Sequence, residues 1–444
     1  MRNLSRTLVW LLADAIAIPA SAQEPAASPR VTYIHAGALL DRPGRTARGR
    51  STIVIREDKI AEVREGFAAP EPGARLVDLS RQFVLPGLID SHVHITMEVG
   101  PAFQQQLSQD DTADWAVSGV TFAERTLQAG FTTVRDLASP GRTAAAIRDG
   151  INAGRIAGPT ILAAGQLISV TAGHGDVVGF SEGAAEGMRA GHYGLACDGV
   201  EDCRRAVRLQ IAAGADLIKI ATTGGVLSNV AGGLGQQMEP DEIAAIVSAA
   251  HRFGRRVAAH AHANAGIQAA LRAGVDSVEH GTFVDASSIA LFRSSNTYLV
   301  PTLLAPATGA EMARSGRLPP ASAAKALEAS AAAFENIRRA IGSGVRIAFG
   351  TDTFRHGNNG REFALLVQVG LSPAQAIQTA TVNAADLLGR SASIGTIEPG
   401  KDADIIAVAA SPLEDVTQLE RVQFVMRQGI VHRIDGQRQP FNSR

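Results

Sequence analysis

Between Phe83 and about Leu388 the chain alternates short apolar runs with longer helix-like stretches, and that alternation constrains the fold more than any other feature. The apolar runs are Leu85–Ile95, Thr132–Leu137, Thr160–Ala164, Leu217–Thr222, Val257–His262, Ser277–His280, Tyr298–Leu303 and Arg346–Asp352. Runs of this length, without polar alternation, suit parallel strands buried on both faces. Ala113–Ala129, Glu201–Ala213, Pro240–Phe253 and Ala321–Ser343 are the clearest of the helical stretches between them. Parallel strands need crossover connections, and helices supply them. Eight such units predict an α/β fold of the (β/α)8 TIM-barrel type, with its active site at the C-terminal ends of the strands. A doubly wound open sheet is the alternative, but no glycine-rich nucleotide turn follows the first strand.

The flanks read differently. Thr52-Ile53-Val54-Ile55 and Lys59-Ile60-Ala61-Glu62-Val63 enclose a polar Arg56-Glu57-Asp58 turn, a hairpin signal. After Leu388, short strand-like segments return, among them Ala403–Val408, Val422–Arg427 and Ile430–Ile434. They are too few for an independent domain. The expected organisation is therefore a small β-sandwich composed of residues 31–85 and 390–440, around a barrel of residues 86–389.

Residues 1–22 predict an export signal: Arg2 and Arg6 precede an apolar stretch from Leu8 to Pro19, followed by Ala20-Ser21-Ala22. The stretch is short for a membrane span and Asp14 interrupts it, so no stable membrane anchor is expected and the protein should be periplasmic or secreted. A retained anchor is the alternative. Cys197 and Cys203, with five residues between them, could then close a disulfide in an oxidising compartment or remain two free thiols. The 42 basic residues nearly balance 43 acidic ones, which gives no reason to expect nucleic acid or an anionic membrane as partner.

The polar residues of the barrel gather at strand ends. His92 and His94 close the first strand at a spacing that turns both imidazoles to one side, and His260 and His262 do the same on the fifth. His280 ends the sixth strand and Asp352 the eighth. Singly, each has an ordinary structural reading as a packed histidine or a capping aspartate. Lys219, within Leu217-Ile218-Lys219-Ile220, is harder to account for. Only four of the 42 basic residues are lysine, so where a plain positive charge suffices this chain uses arginine. Burial depresses a lysine pKa, and a neutral amine can add carbon dioxide to form a carbamate, whereas a guanidinium stays protonated. A lysine snorkelling from the strand end is the other possibility. Together these imidazoles and carboxylates suit zinc, with manganese or cobalt as alternatives.

On these pieces the chain resembles the amidohydrolase superfamily, and within it the imidazolonepropionase-like branch that contains Xaa-Pro and Xaa-Arg dipeptidases and ochratoxin-hydrolysing enzymes. The matching segments are Leu85-Pro86-Gly87-Leu88-Ile89-Asp90-Ser91-His92-Val93-His94, Ile218-Lys219-Ile220, Ala259-His260-Ala261-His262, Val278-Glu279-His280-Gly281, Phe349-Gly350-Thr351-Asp352-Thr353 and Gly395–Ile405. The resemblance implies two divalent metal ions: His92, His94 and Asp352 on the more buried one, His260 and His280 on the second, and a CO2-derived carbamate on Lys219 bridging them. Spacing alone does not choose between His260 and His262; the resemblance selects His260. It further implies that Asp352 is the catalytic proton acceptor and donor, in hydrolysis of the amide to a C-terminal amino acid. The loop after the third strand carries Gly173-His174-Gly175 and His192-Tyr193-Gly194, and His174, Tyr193 and His262 are the expected substrate contacts. A small peptide-like or N-acyl amino acid substrate and a homo-oligomer follow from the same likeness. Two rival readings are a cyclic-amide hydrolase of imidazolonepropionase type, which uses one metal and no bridging lysine, and a non-catalytic barrel, which would be expected to have lost a ligand.

Overall fold

The computed structural model describes residues 30–441 apart from 101–102, 191–192 and 229. The expected export signal, residues 1–22, and His192 lie outside the described residues. The chain is α/β with mixed sheets. Its N-terminal part forms β1 (Val31–Leu39), β2 (Ser51–Arg56), β3 (Lys59–Glu65) and β4 (Arg75–Pro86). The β2–β3 hairpin is antiparallel, and its turn uses Glu57 at φ 56°.

A three-stranded parallel sheet follows, made of β5 (Leu88–Val93), β6 (Phe131–Asp136) and β7 (Thr160–Ala163). A second parallel sheet contains β8 (Ile168–Ser169), β9 (Leu195–Ala196), β10 (Ile218–Ala221), β11 (Val257–Ala261), β12 (Ser277–His280) and β13 (Tyr298–Val300), in the order β13-β12-β11-β10-β8-β9. Helices such as Thr112–Gln128, Val200–Ala212, Pro240–Arg252 and Pro320–Gly342 stand between the strands, within a residue or two of the sequence expectation.

The eighth apolar run departs from expectation. Residues 346–352 form no extended strand: Ile347 makes one parallel bridge to Leu299, and the segment then turns inward. Two local features account for this. A Cβ at Gly350 would lie 2.3 Å from Val300 and 2.9 Å from the His92 side chain, so only glycine permits the close approach. Asp352 then adopts φ 46°, which ends any ladder. The segment still joins the two parallel sheets. Leu299 N–H donates to the Arg346 carbonyl (2.9 Å), Ser91 N–H to the Phe349 carbonyl (2.9 Å) and Asp352 N–H to the His92 carbonyl (2.8 Å). At the other edge, Asp216 N–H donates to the Ala163 carbonyl (2.8 Å), linking β7 to the entry of β10.

The C-terminal part supplies β14 (Ile405–Val408), β15 (Phe424–Arg427), β16 (Ile430–Ile434) and β17 (Gln437–Arg438). These join β1–β4 in one eight-stranded sheet, ordered β17-β16-β15-β14-β4-β1-β2-β3. The seam is the antiparallel pairing of β14 with the last four residues of β4, Ile405 to Pro86 through Val408 to Phe83. Ile53 and Ile55 of β2 share a buried core with Phe424 and Met426 of β15, although three strands separate them in the sheet. Gly87 then directs the chain from this sheet into β5. Its N–H is held by the Asp404 carbonyl, and a Cβ there would collide with Thr132 at 2.2 Å. The first histidines are thus anchored to the terminal sheet through a single turn.

Candidate metal centre

The histidine candidates are at or just beyond the C-terminal ends of parallel strands, and Lys219 is inside one. His92 belongs to β5 with His94 just after it, Lys219 to β10, His260 to β11 with His262 just after it, and His280 to β12. Asp352 follows the bridged segment. The structure brings them together. Ring centroids of His92 and His280 are 5.1 Å apart, and those of His260 and His280 are 4.7 Å apart. His94 Nε2 is 3.4 Å from Asp352 Oδ1, and His92 Nε2 is 3.9 Å from the same oxygen. Two groups offer ligand atoms all within 4.8 Å of one another: His92, His280 and Asp352, and His260, His262 and His280. This chain therefore has histidine clusters able to hold a metal ion. The second group contains both His260 and His262, so proximity, like spacing, does not separate them.

Backbone strain helps to build the cluster. Successive side chains of a strand face opposite sides, yet Glu279 and His280 both reach the centre: Glu279 touches His92, and the His280 ring lies beside it. The alternation is broken by His280 itself, at φ 70°. Thr302, at the end of β13, has φ 48°, and Asp352 has φ 46°. Non-glycine residues in this region are costly and persist only where the surroundings enforce them.

The hydrogen-bond partners set the tautomers. His92 Nδ1 faces the Glu279 carboxylate at 2.9 Å and His94 Nδ1 the Ala138 carbonyl at 2.9 Å; both partners only accept, so each Nδ1 carries the proton and each Nε2 keeps its lone pair. The Thr302 hydroxyl donates to the Pro301 carbonyl and therefore accepts from His280 Nδ1 at 2.7 Å, which frees His280 Nε2. His260 is reversed: Nε2 donates to the Gly224 carbonyl (3.2 Å), leaving Nδ1 with the lone pair. Fixed tautomers of this kind are how proteins prepare imidazoles as metal ligands.

Charge is scarce and buried. Burial pushes the His92, His260 and His280 pKa values well below the ordinary imidazole range, and the Lys219 charge adds to the effect in all three. Lys219 is 3% exposed, and burial lowers its amine from the usual lysine value, against the opposing pull of Glu279 and Asp352. Burial raises the Asp352 carboxyl, with Lys219 acting in the opposite direction. Neutral imidazoles, a partly neutral amine and a carboxyl displaced toward neutrality are a donor set that a divalent cation would complete.

A cavity of about 670 Å³ opens over the cluster. His174, Tyr193 and His262 all line it. The His174 ring packs on His260 with centroids 4.2 Å apart, its backbone N–H is held by Gln237, and among the described residues its buried Nδ1 has no hydrogen-bond partner. Burial raises the Tyr193 phenol to about 12, so it stays a donor. His262 Nδ1 meets the Thr282 hydroxyl at 2.7 Å. The outer wall is apolar, with Leu107, Val177, Phe180 and Met188 in one cluster. Cys197 and Cys203 are joined as a disulfide with Cα atoms 4.9 Å apart, pinning the end of β9 to the first turn of helix Val200–Ala212.

Sequence reasoning missed four residues around this centre. Asp90, wholly buried, accepts from the His92 and Thr351 N–H groups, the Thr351 hydroxyl and the Asn359 amide, tying β5 to the eighth segment. Arg135 and Glu279 form a buried ion pair beneath His92. Asp136 accepts from Ile95 N–H at 2.7 Å and so holds the turn that follows His94. Charged residues in otherwise apolar buried strands were the available signal. His356, by contrast, is a brace: it is 1% exposed, bonds the His94 and Met97 carbonyls through Nε2, and stacks on Phe122.

Residues 83–432 match the model of the amidohydrolase family. The chain is 34% identical over 409 residues to ochratoxinase of Aspergillus niger, covering 87% of this chain and 83% of that protein. Among solved structures it is similar to a Xaa-Pro dipeptidase with methionine bound in its active site, with a TM-score of 0.85, 37% identity, and coverage of 91% of this chain and 100% of that one. The A. niger ochratoxinase structure superposes with a TM-score of 0.80 at 31% identity, over 91% and 96% of the two chains.

Proposed function

The chain belongs to the amidohydrolase family, metal-dependent hydrolases of C–N bonds, and from that premise we propose a binuclear zinc enzyme that releases a C-terminal amino acid from a dipeptide, an N-acyl amino acid or an ochratoxin-like aromatic amide. The observation that carries this reading is the convergence of His92, His94, His260, His280 and Asp352 around a cavity that Lys219 also lines. In this reading His92, His94 and Asp352 would hold the more buried ion and His260 and His280 the other, and Lys219, as its carbamate, would serve both. The supporting feature is the lowered Lys219 pKa, which leaves part of the amine neutral and able to add carbon dioxide. When bound, such ions supply a water of lowered pKa and an electrophile for the scissile carbonyl.

The chain's own residues do the rest. Asp352, its pKa raised by burial, takes a proton from the attacking water and returns it to the departing amine. His174, with Nδ1 unengaged, the Tyr193 phenol and His262, which stands edge-on to His260, contact the substrate carboxylate or carbonyl oxygen. The apolar wall of Leu107, Val177, Phe180 and Met188 favours an uncharged, bulky substrate group.

The two parallel sheets are read as arcs of one (β/α)8 barrel of residues 86–389, and the eight-stranded sheet as a composite sandwich of residues 31–85 and 390–440. Hydrogen bonds at both sheet edges support the first part, and the mixed ancestry of the β4–β14 seam supports the second. Export is supported by the disulfide, a bond that persists in oxidising compartments. The test is hydrolysis by metal-loaded protein of a library of dipeptides and N-acyl amino acids, with Lys219→Ala alongside. Release of a C-terminal amino acid by the natural chain alone is the expected result; no turnover of any member, or equal turnover by the variant, would sink the reading.

A further inference from the structure

Beneath the histidines lies a carboxylate for which the proposed reaction has no use. Glu279 is wholly buried in β12. One of its oxygens, Oε1, accepts from Arg135 Nη2 at 2.8 Å and from the Ser277 hydroxyl. The other, Oε2, accepts among the described residues only from His92 Nδ1, at 2.9 Å. Arg135 is itself 3% exposed, and its remaining nitrogens donate to the Ser91 carbonyl and to Ser277 Oγ.

This division of the carboxylate is informative. Were Glu279 present only to neutralise a buried arginine, the favoured arrangement would be bidentate, with both oxygens on one guanidinium. Instead Arg135 occupies one oxygen and is anchored on Ser91, the residue preceding His92, while the second oxygen is left to the imidazole. A buried charge must be paired to be tolerated, and here the pairing also fixes a ring. The bond permits only the Nδ1–H tautomer of His92 and directs Nε2 to within 3.9 Å of Asp352 Oδ1. It also joins β12 directly to β5, and Arg135 of β6 makes a second link between the same two strands.

We propose that Glu279, buttressed by Arg135, is a positioning residue that presents His92 Nε2 to a divalent cation and thereby sets the cation affinity of the more buried position. The inference rests on the reading of His92 as a metal ligand. Glu279 touches neither substrate nor reacting atoms, so its signature is in cation binding.

The experiment is chelator-competition titration of the full chain with Zn2+ and Co2+, together with the visible absorption of the Co2+-loaded protein. Glu279→Gln no longer specifies the tautomer, but it also leaves Arg135 without its counter-charge. The double variant Glu279→Gln/Arg135→Met removes that stranded charge and keeps the test usable should the single variant fail to fold. Ser277→Ala disturbs the same network without touching His92. Replacement of such orienting partners weakens metal binding by roughly 10–100-fold. Weakening of that size in the double variant, with an altered Co2+ spectrum and natural affinity in Ser277→Ala, is the expected result. Natural affinity and spectrum in the double variant, or equal weakening in Ser277→Ala, would overturn the proposal. His92→Ala separates the two readings: if it binds both ions as tightly as the natural chain, the ligand assignment fails, not merely the role of Glu279.

Discussion

His356 shows how one residue's burial becomes a measurable property. It is enclosed by Thr126, Phe122 and the carbonyls of the turn after β5, and burial lowers its pKa to about 4. The unfolded chain would bind a proton near the ordinary value of about 6.5. Its contribution to stability is therefore complete above that value and is lost as pH falls toward about 4, because the unfolded state then holds the extra proton. His356→Gln should flatten the stability–pH curve of metal-free protein between these limits by up to about 1.4 kcal/mol per pH unit, read from urea unfolding at several pH values. An unchanged slope would mean that the ring titrates normally in the fold. The histidines, the aspartate and Lys219 were legible residue by residue because ionisable groups stand out at the ends of apolar runs. Glu279 was not, since strand alternation sends it away from His280; the reversal comes from the positive φ of His280, which no sequence pattern announces.

At the scale of elements, the strands were readable from runs that are apolar apart from the candidate ligands, such as Ile218–Ala221 around Lys219 and Val257–Ala261 around His260. The two-residue strands β8 and β9 were not, being too short to carry a period and placed by the loops around them. The irregular eighth segment escaped for a related reason: its apolar run reads as a strand, while Gly350 and the turned Asp352 bend it toward His92. The loop that follows β10 is the element most open to test. It brings Gly225 against the His174 ring so closely that a Cβ would lie 2.2 Å from Cε1, and Lys325 ties it down through the Gly225 and Ser228 carbonyls. Gly225→Ala must displace either the ring or the loop. Since misplacement by about 1 Å can cost on the order of 10²-fold in rate, kcat/KM should fall by about that factor. A natural kcat/KM in a variant whose His174 ring is displaced would remove His174 from the substrate contacts.

For the molecule as a whole, the discontinuous sheet makes the chain ends interdependent. Ile405, Ile406, Ala407, Val408, Phe424 and Met426 are fully buried against segments more than 300 residues earlier or against the parallel sheets. Each large apolar side chain contributes roughly 1.5–3 kcal/mol by burial, and their sum is comparable with the whole stability of a typical domain, about 5–15 kcal/mol. A chain ending at residue 389 should therefore be recovered aggregated or unfolded, as judged by gel filtration and circular dichroism; a soluble, cooperatively melting product would show that the barrel region is self-sufficient. The function reading rests on a different property of the whole, the convergence of side chains from distant strands on one cluster, where the proposal puts a pair of cations and a modified amine. It is tested most directly by counting metal ions per chain, after removal of loosely bound ions, in the natural protein and in Lys219→Arg. Two equivalents in the first and fewer in the second is the predicted result, whereas none in the natural chain, or two in both, would contradict the account.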